Sequence, residues 1–215
     1  MDAASDKEIK NMGFYRNVVL PRLCDMSMRN AMLRPYRERV IGRAEGTVLE
    51  IGAGSGLNLP LYKAGVREIL ALEPDPQLLT MAKRNAKQAA RPVTFMMASA
   101  ESIPLESRSV DTVVTTWTLC TIPDADRALQ EMRRVLEPSG RLLFVEHGLA
   151  SEEGVVRWQN RLTPAWKCIS GGCHLNRPIL SLIETAGFKI DEIGTGYAPG
   201  PKFLTYLFEG SARTN

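Results

Sequence analysis

Val48-Leu49-Glu50-Ile51-Gly52-Ala53-Gly54-Ser55-Gly56-Leu57-Asn58 is the stretch that decides how this chain folds. Val48, Leu49 and Ile51 are β-favouring and suit a strand buried in a parallel sheet. Gly52, Gly54 and Gly56 allow a tight turn and let a ligand approach bare backbone. A helix start is predicted just beyond the loop, with free N–H groups aimed at that ligand.

Glu50 bears on what the ligand is. A nicotinamide fingerprint is G-x-G-x-x-G, with the pyrophosphate over the helix N-terminus. Here the pattern is G-x-G-x-G, and Leu57 stands where the third glycine should fall. An acid two residues before the first glycine is poorly placed for a pyrophosphate and well placed for an ammonium group. S-Adenosyl-L-methionine carries an ammonium and a sulfonium and no phosphate. A buried Glu must be paired or solvated to stay charged. The plainer alternative is a strand-end Glu that caps its own loop.

Outward from this stretch, short apolar strands alternate with helices. Strands are predicted over 47–51, 68–72, 93–97, 110–115 and 141–146, with helices over 76–90 and 124–136. Asp75 is the predicted cap of the first helix and Pro76 fits its first turn. This alternation argues for a parallel sheet with helices on both faces. Beyond Gly148 a helix is expected over 154–170 with a break at Pro164, and another over 176–186. Strands over 188–193 and 202–208 complete one continuous seven-stranded sheet. Upstream, residues 1–12 are expected to be mobile. Residues 14–44 look helical, interrupted at Pro21 and Pro35, with a basic character from Arg16, Arg22, Arg29, Arg34, Arg37 and Arg39. Such an arm suits a helix packed on the sheet with a solvated basic face, a lid over the glycine loop, or a contact with an anionic membrane surface.

Composition narrows the class. A chain of 215 residues, 44% hydrophobic and 24% charged, is that of one ordinary globular domain. A net charge of +3 is too weak to argue for nucleic acid. No apolar run approaches the ~18 residues of a membrane span, and residues 1–10 lack the apolar core of a signal peptide. A cytoplasmic location is the default. Four cysteines, Cys24, Cys120, Cys168 and Cys173, are read as free thiols. Cys168, Cys173 and His174 lie close in sequence and His147 is the only other histidine; a zinc site is the lesser alternative, because the spacing matches no common pattern, and no metal is expected.

Parallel sheets bind ligands at the carboxyl ends of their strands. The second end carries Glu73 and Pro74, an acid suited to the two hydroxyls of a ribose. The third carries Ser99 and Ala100, suited to an adenine edge or merely to a polar loop. The fourth carries Thr116 and Trp117, a pocket wall with a π-face for a cation, or simply core.

These residues carry a resemblance. Residues 48–62, 72–74, 98–105, 110–120 and 136–147 resemble the class I S-adenosylmethionine-dependent methyltransferases of the "methyltransferase type 11" kind. The resemblance implies a Rossmann-like α/β fold: a mixed sheet of order 3-2-1-4-5-7-6, strand 7 antiparallel, helices on both faces, plus the N-terminal helical arm. It implies Glu50, Gly52, Ala53, Gly54, Gly56 and Asn58 at the methionine portion and Glu73 at the ribose. Many relatives have Asp at the position of Ser99. The flanks, Tyr15-Arg16-Asn17, Gly54 through Tyr62, and Trp158-Gln159 through Arg177, look like the microsomal alkyl-thiol methyltransferases and their soluble bacterial relatives, some of them labelled phospholipid N-methyltransferases. The microsomal members carry an N-terminal membrane anchor, which is not expected here. One domain is expected over 1–215: a helical lid (1–45), a cofactor-binding core (46–147), and acceptor-side helices with the terminal strand pair (148–215).

The implied activity is methyl transfer to a small molecule, first an apolar thiol, with a phospholipid or small amine as the alternative acceptor. His147, then His174, is the candidate base. Tyr15, Trp158, Cys173 and Arg177 are expected around the acceptor. A non-catalytic cofactor-binding protein, a dinucleotide-dependent oxidoreductase and a nucleic-acid methyltransferase are the competing classes. Leu57 and Glu50 argue against the oxidoreductase. No Asn-Pro-Pro-Tyr-type motif speaks for nucleic acid, and none is expected as a partner.

Overall fold

The structure, a computed structural model, describes residue 13 and residues 15–214. The stretch expected to be mobile, 1–12, and the expected helix start at Phe14 lie outside the described residues. Seven strands, β1 (Gly46–Ile51), β2 (Val66–Leu72), β3 (Val93–Met96), β4 (Val110–Thr116), β5 (Leu136–His147), β6 (Phe188–Tyr197) and β7 (Tyr206–Thr214), form one sheet of order β3-β2-β1-β4-β5-β7-β6. The first five are parallel, and β7 runs antiparallel to both β5 and β6. The strand order reverses between β1 and β4, which opens a crevice at their carboxyl ends.

Helices cover both faces: α1 (Leu20–Met28), α2 (Arg34–Ile41), α3 (Pro76–Asn85), α4 (Ala125–Val135), α5 (Glu153–Ile169), α6 (Ile179–Thr185) and the short α7 (Lys202–Thr205). Alternation along β1 divides the core. Leu49 and Ile51 join Val113, Phe144, Leu129 and Ile183 on one face. Val48 joins Val114, Val145, Tyr62 and the α2 residues Val40 and Ile41 on the other. Glu50 is two residues from Val48, so strand geometry sends its carboxylate into that second apolar layer. Among the described residues no helix is long and apolar enough to cross a membrane.

Several expected boundaries move. No α-helix follows the glycine loop; the chain makes only a 3₁₀ turn, Leu59–Leu61. Pro60 and the short stretch 57–65 before β2 leave no room for more. Pro21 and Pro35 do not interrupt helices but sit in the first turns of α1 and α2, where a missing N–H costs nothing. The break falls instead at Asn30, whose side chain accepts from Met32 N. α3 ends at Asn85 and continues as a 3₁₀ turn, Ala86–Gln88. α5 runs through Pro164 unbroken. α6 begins at Ile179 rather than 176, because Pro178 disfavours helical backbone at Arg177, whose carbonyl accepts from Leu149 N. Residues 202–205 are helical, and β6 extends to Tyr197, where it pairs with Tyr206.

Packing of the terminal strands is tight at one glycine and open at another. A Cβ on Gly210 would lie 2.2 Å from Glu192 O and 3.0 Å from Phe144 Cζ, whereas one on Gly196 meets nothing within 4 Å. Gly210→Val is therefore expected to cost about 1–3 kcal/mol by overpacking, and Gly196→Ala to be neutral or slightly stabilising. Urea denaturation midpoints of the two variants check this; equal midpoints would refute it.

Candidate active site

The glycine loop leaves β1 with Gly52, Gly54 and Gly56 all in the left-handed region, at φ of 62°, 57° and 78°. Their surroundings differ. A Cβ on Gly52 would strike the Thr118 side chain at 2.4 Å, and one on Gly56 would strike Ala82 Cα at 2.9 Å. A Cβ on Gly54 has only Gly52 O near it, at 3.8 Å. Gly54 therefore faces open space while its neighbours are bare so that the chain can pack. The buried Ala53 is held by its N–H on Leu72 O at 3.0 Å.

Glu73, at the end of β2, closes the loop from the side. Its Oε2 accepts from Gly54 N at 2.8 Å and its Oε1 from Asp75 N at 2.9 Å. Asp75 caps α3 through Gln77 N and Leu78 N, as its position predicts. Burial raises the Glu73 pKa, and the two backbone N–H groups oppose the rise. Each carboxylate oxygen keeps a second lone pair for a ligand donor. Pro74 is exposed beside it.

Glu50 is 1% exposed. Its Oε1 accepts from Asn58 Nδ2 at 2.8 Å and its Oε2 from Tyr62 OH at 3.0 Å. Asn58 also donates to Thr116 Oγ1 at 3.0 Å and accepts from Arg37 Nη1 at 2.8 Å. The amide thus links a buried acid to a buried base. Burial pushes the Glu50 carboxyl up to about 7. Burial also lowers Arg37, to about 10, which leaves it charged at neutral pH. Arg37 lies over the Trp117 ring, 4.8 Å from its centroid, and donates to Met28 O. Trp117 has φ of 50°, rare for a non-glycine residue, with its N–H on Val145 O at 2.8 Å. Such backbone costs on the order of 1–3 kcal/mol and gathers at ligand sites. Arg37 belongs to this site and not to a solvated basic face; no local pattern in the sequence signals it.

Ser99, in the loop after β3, is half-buried. Its hydroxyl donates to Glu101 Oε2 at 2.9 Å, and Ala100 beside it is buried.

At the far end of β5, His147 is buried, with Nε2 2.9 Å from Cys173 Sγ. Burial pulls the His147 imidazole down, but the bond to Cys173 and the charges of Cys173 and Glu146 outweigh it and raise its pKa. The neighbouring Cys120 thiol, then burial, push Cys173 well above the ordinary thiol range. His174 is less suited to serve as a base. Its Nδ1 lies 2.7 Å from Arg177 Nη2, a group that only donates, so its basic lone pair is taken. Burial and then the Arg177 charge lower its pKa. Arg177 itself is buried and donates to Ile122 O at 2.9 Å. Tyr15 OH donates to Ile169 O at 2.6 Å, tying the arm to the end of α5. Trp158 is 57% exposed on α5. Cys168, grouped with Cys173 by sequence spacing, is exposed with its thiol on Pro164 O; Cys120 stands in its place beside Cys173 and His147.

Known proteins share this architecture. Residues 49–144 match the model of a methyltransferase domain. Thiol S-methyltransferase TMT1B of Rattus norvegicus is 37% identical over 165 residues, 73% of this chain and 65% of that protein. Thiol S-methyltransferase TMT1A of Homo sapiens is 34% identical over 151 residues, 66% of this chain and 60% of that protein. The chain thus spans 60–65% of the length of these two relatives. Among solved structures, a 1,6-didemethyltoxoflavin-N1-methyltransferase of Burkholderia thailandensis superposes with a TM-score of 0.66 at 18% identity, covering 100% of this chain and 92% of that one. At that identity the likeness concerns the fold.

The Glu50 environment sets a pH dependence. With a folded pKa of about 7 against an ordinary 4.5, the folded state holds this proton more tightly than the unfolded chain. The stabilisation is fully present below about pH 4.5 and is lost as pH rises through 7, a change on the order of 3 kcal/mol. Urea denaturation from pH 4.5 to 8 should show a shallower decline for Glu50→Gln than for the native chain. Parallel pH profiles would show that Glu50 titrates normally.

Proposed function

Because the chain belongs to the class I S-adenosyl-L-methionine-dependent methyltransferases, we propose that it methylates the sulfur of a small, largely apolar thiol. The observation that carries this is the 34–37% identity to two thiol S-methyltransferases over 66–73% of the chain. The site fits the cofactor: the space above Gly54 is open, and Glu73 and Glu50 stand on either side of the loop. When bound, S-adenosyl-L-methionine supplies a methyl group already activated on a sulfonium.

The chain's task is then alignment, which contributes up to about 7–11 kcal/mol in well-oriented reactions. Glu73 accepts from the ribose hydroxyls. Glu50 with Asn58 faces the ammonium, whose charge draws the carboxyl to its ionised form. Ser99 and Ala100 border the adenine. Thr116 and Trp117 wall the cavity, with Arg37 fixing the indole from behind. Of the two histidines we assign the acceptor role to His147, whose Nε2 meets the Cys173 thiol, whereas the Nδ1 of His174 meets the Arg177 guanidinium.

A cytoplasmic location and a small-molecule acceptor belong to the same proposal. A peripheral membrane contact is supported by the exposed Leu23, Met26 and Met32 of the arm beside exposed Arg22, Arg29 and Arg34. Sedimentation with anionic vesicles tests that contact, and an unbound protein counts against it.

Release of S-adenosylhomocysteine is to be measured against alkyl and aryl thiols, amines, phenols and phosphatidylethanolamine vesicles. Thiols should turn over fastest. Turnover of the lipid amine with none on the thiol panel would make the chain an N-methyltransferase instead. Glu73→Ala should weaken cofactor binding by about 1.5–3 kcal/mol per lost charge-assisted bond, read by calorimetry. Unchanged affinity in the folded variant would remove Glu73 from the ribose.

A further inference from the structure

Three side chains from three separate stretches meet at the carboxyl ends of β4 and β5. Cys120 lies in the loop after β4, His147 is the last residue of β5, and Cys173 lies in the loop between α5 and α6. Their ligand-capable atoms all lie within 4.8 Å of one another. Cys120 and His147 are buried, and Cys173 is half-buried.

Backbone contacts assemble the trio. His174 N donates to Cys120 O at 2.8 Å, which locks the Cys173 loop onto the Cys120 loop. Gly171 and Gly172, at φ of 69° and 96°, make the turn that brings Cys173 back to the sheet. Gly148 has Arg177 O where a Cβ would lie, 2.5 Å away, so the segment after His147 presses against the same loop.

We propose that Cys120, His147 and Cys173 bind a zinc ion, and that its fourth position takes the acceptor thiol as a thiolate. This deepens the thiol assignment and rests on it. Two thiolates and an imidazole select zinc over magnesium or calcium, which prefer oxygen ligands. In a tetrahedral zinc site with bonds of about 2.0–2.3 Å, ligand atoms stand about 3.5–3.8 Å apart. All three ligand atoms lie within 4.8 Å of one another, and the 2.9 Å from His147 Nε2 to Cys173 Sγ is shorter than that spacing, so a zinc ion requires this contact to open by side-chain rotation. Three protein ligands with one open position is the arrangement of catalytic rather than structural zinc.

Charge agrees. Zinc with two cysteine thiolates is neutral, and a third thiolate would add one negative charge. The Arg177 guanidinium, buried against the Ile122 carbonyl and His174 in the same two loops, offsets it. The acceptor thiol loses its S–H proton to solvent on binding the metal. Its sulfur then forms a bond to the methyl carbon as the carbon–sulfonium bond breaks, and neutral S-adenosylhomocysteine departs. The new thioether is uncharged, a weaker ligand, and leaves the metal. His147 is thereby a ligand rather than a free base.

Cys24, half-buried on α1, serves as the control for a fourth protein ligand. The full chain, kept reduced with a phosphine and stripped of metal by a chelator, is to be titrated with zinc alone and with cobalt(II). One zinc per chain and a thiolate-to-cobalt charge-transfer band are expected, and an added alkyl thiol should alter that band. Cys120→Ser and Cys173→Ser should each weaken zinc binding tenfold or more, and Cys168→Ser should not. Zinc binding no tighter than that of the double variant Cys120→Ser/Cys173→Ser overturns the site. A loss in Cys24→Ser equal to that in Cys173→Ser marks a closed four-ligand site and overturns the acceptor role. Thiol methylation that survives complete metal removal overturns the inference and leaves the thiol assignment standing. Zinc binding with no turnover of any thiol sinks the thiol assignment, and the acceptor role with it. The cobalt spectrum of the native chain tests the site even where a variant fails to fold.

Discussion

A carboxylate buried at the end of the first strand governs this structure. Glu50 enters the layer between the sheet and α2 because strand alternation leaves it no other direction. A charge in such a layer is costly unless it is hydrogen-bonded. Its partners come from three places: Tyr62 and Asn58 from the turn after the glycine loop, Thr116 through Asn58 from β4, and Arg37 through Asn58 from the arm. The arm is therefore docked by the same network that shapes the cofactor crevice. That Arg37 also covers Trp117 extends the network to the strained end of β4.

The two acids of the crevice have different environments and so different tasks. Glu73 accepts from backbone N–H groups, one of them from the loop itself, and keeps lone pairs free on its open side. Glu50 accepts from neutral side chains in a closed layer, which leaves its carboxyl poised near neutrality. A cationic ligand stabilises the ionised form of Glu50, and hydroxyl donors suit Glu73 in either state.

The acceptor side is built on other terms. Between β4, β5 and the α5–α6 loop there is sulfur, imidazole and guanidinium, and Glu146 is turned inward onto Thr115 and Thr118. Soft, uncharged or cationic groups favour an acceptor that becomes an anion. Hard oxygen acceptors thus gather at the ends of β1 and β2, and soft donors at the ends of β4 and β5 and beyond. The sheet holds the two sets apart while their strand ends share one crevice.

Local chemistry made much of this legible in the sequence. Alternating apolar residues in strands, glycines at positive φ, an Asp ahead of Pro76 and acids at two strand ends act over a few residues. They specified the sheet, the loop and the positions of Glu50 and Glu73. Boundaries failed where a local signal had two outcomes: Pro21 and Pro35 mark helix starts rather than breaks, and Pro164 breaks nothing. Arg37 looked like one arginine among many, because its partner Asn58 is 21 residues away. His147 and Cys173 are 26 apart, and Cys120 reaches them from another strand end. Spacing along the chain favoured Cys168 instead. Which arginine is buried and which cysteines meet depends on how helices and loops pack across the sheet. That is settled by long-range contacts that leave no periodic trace in the sequence.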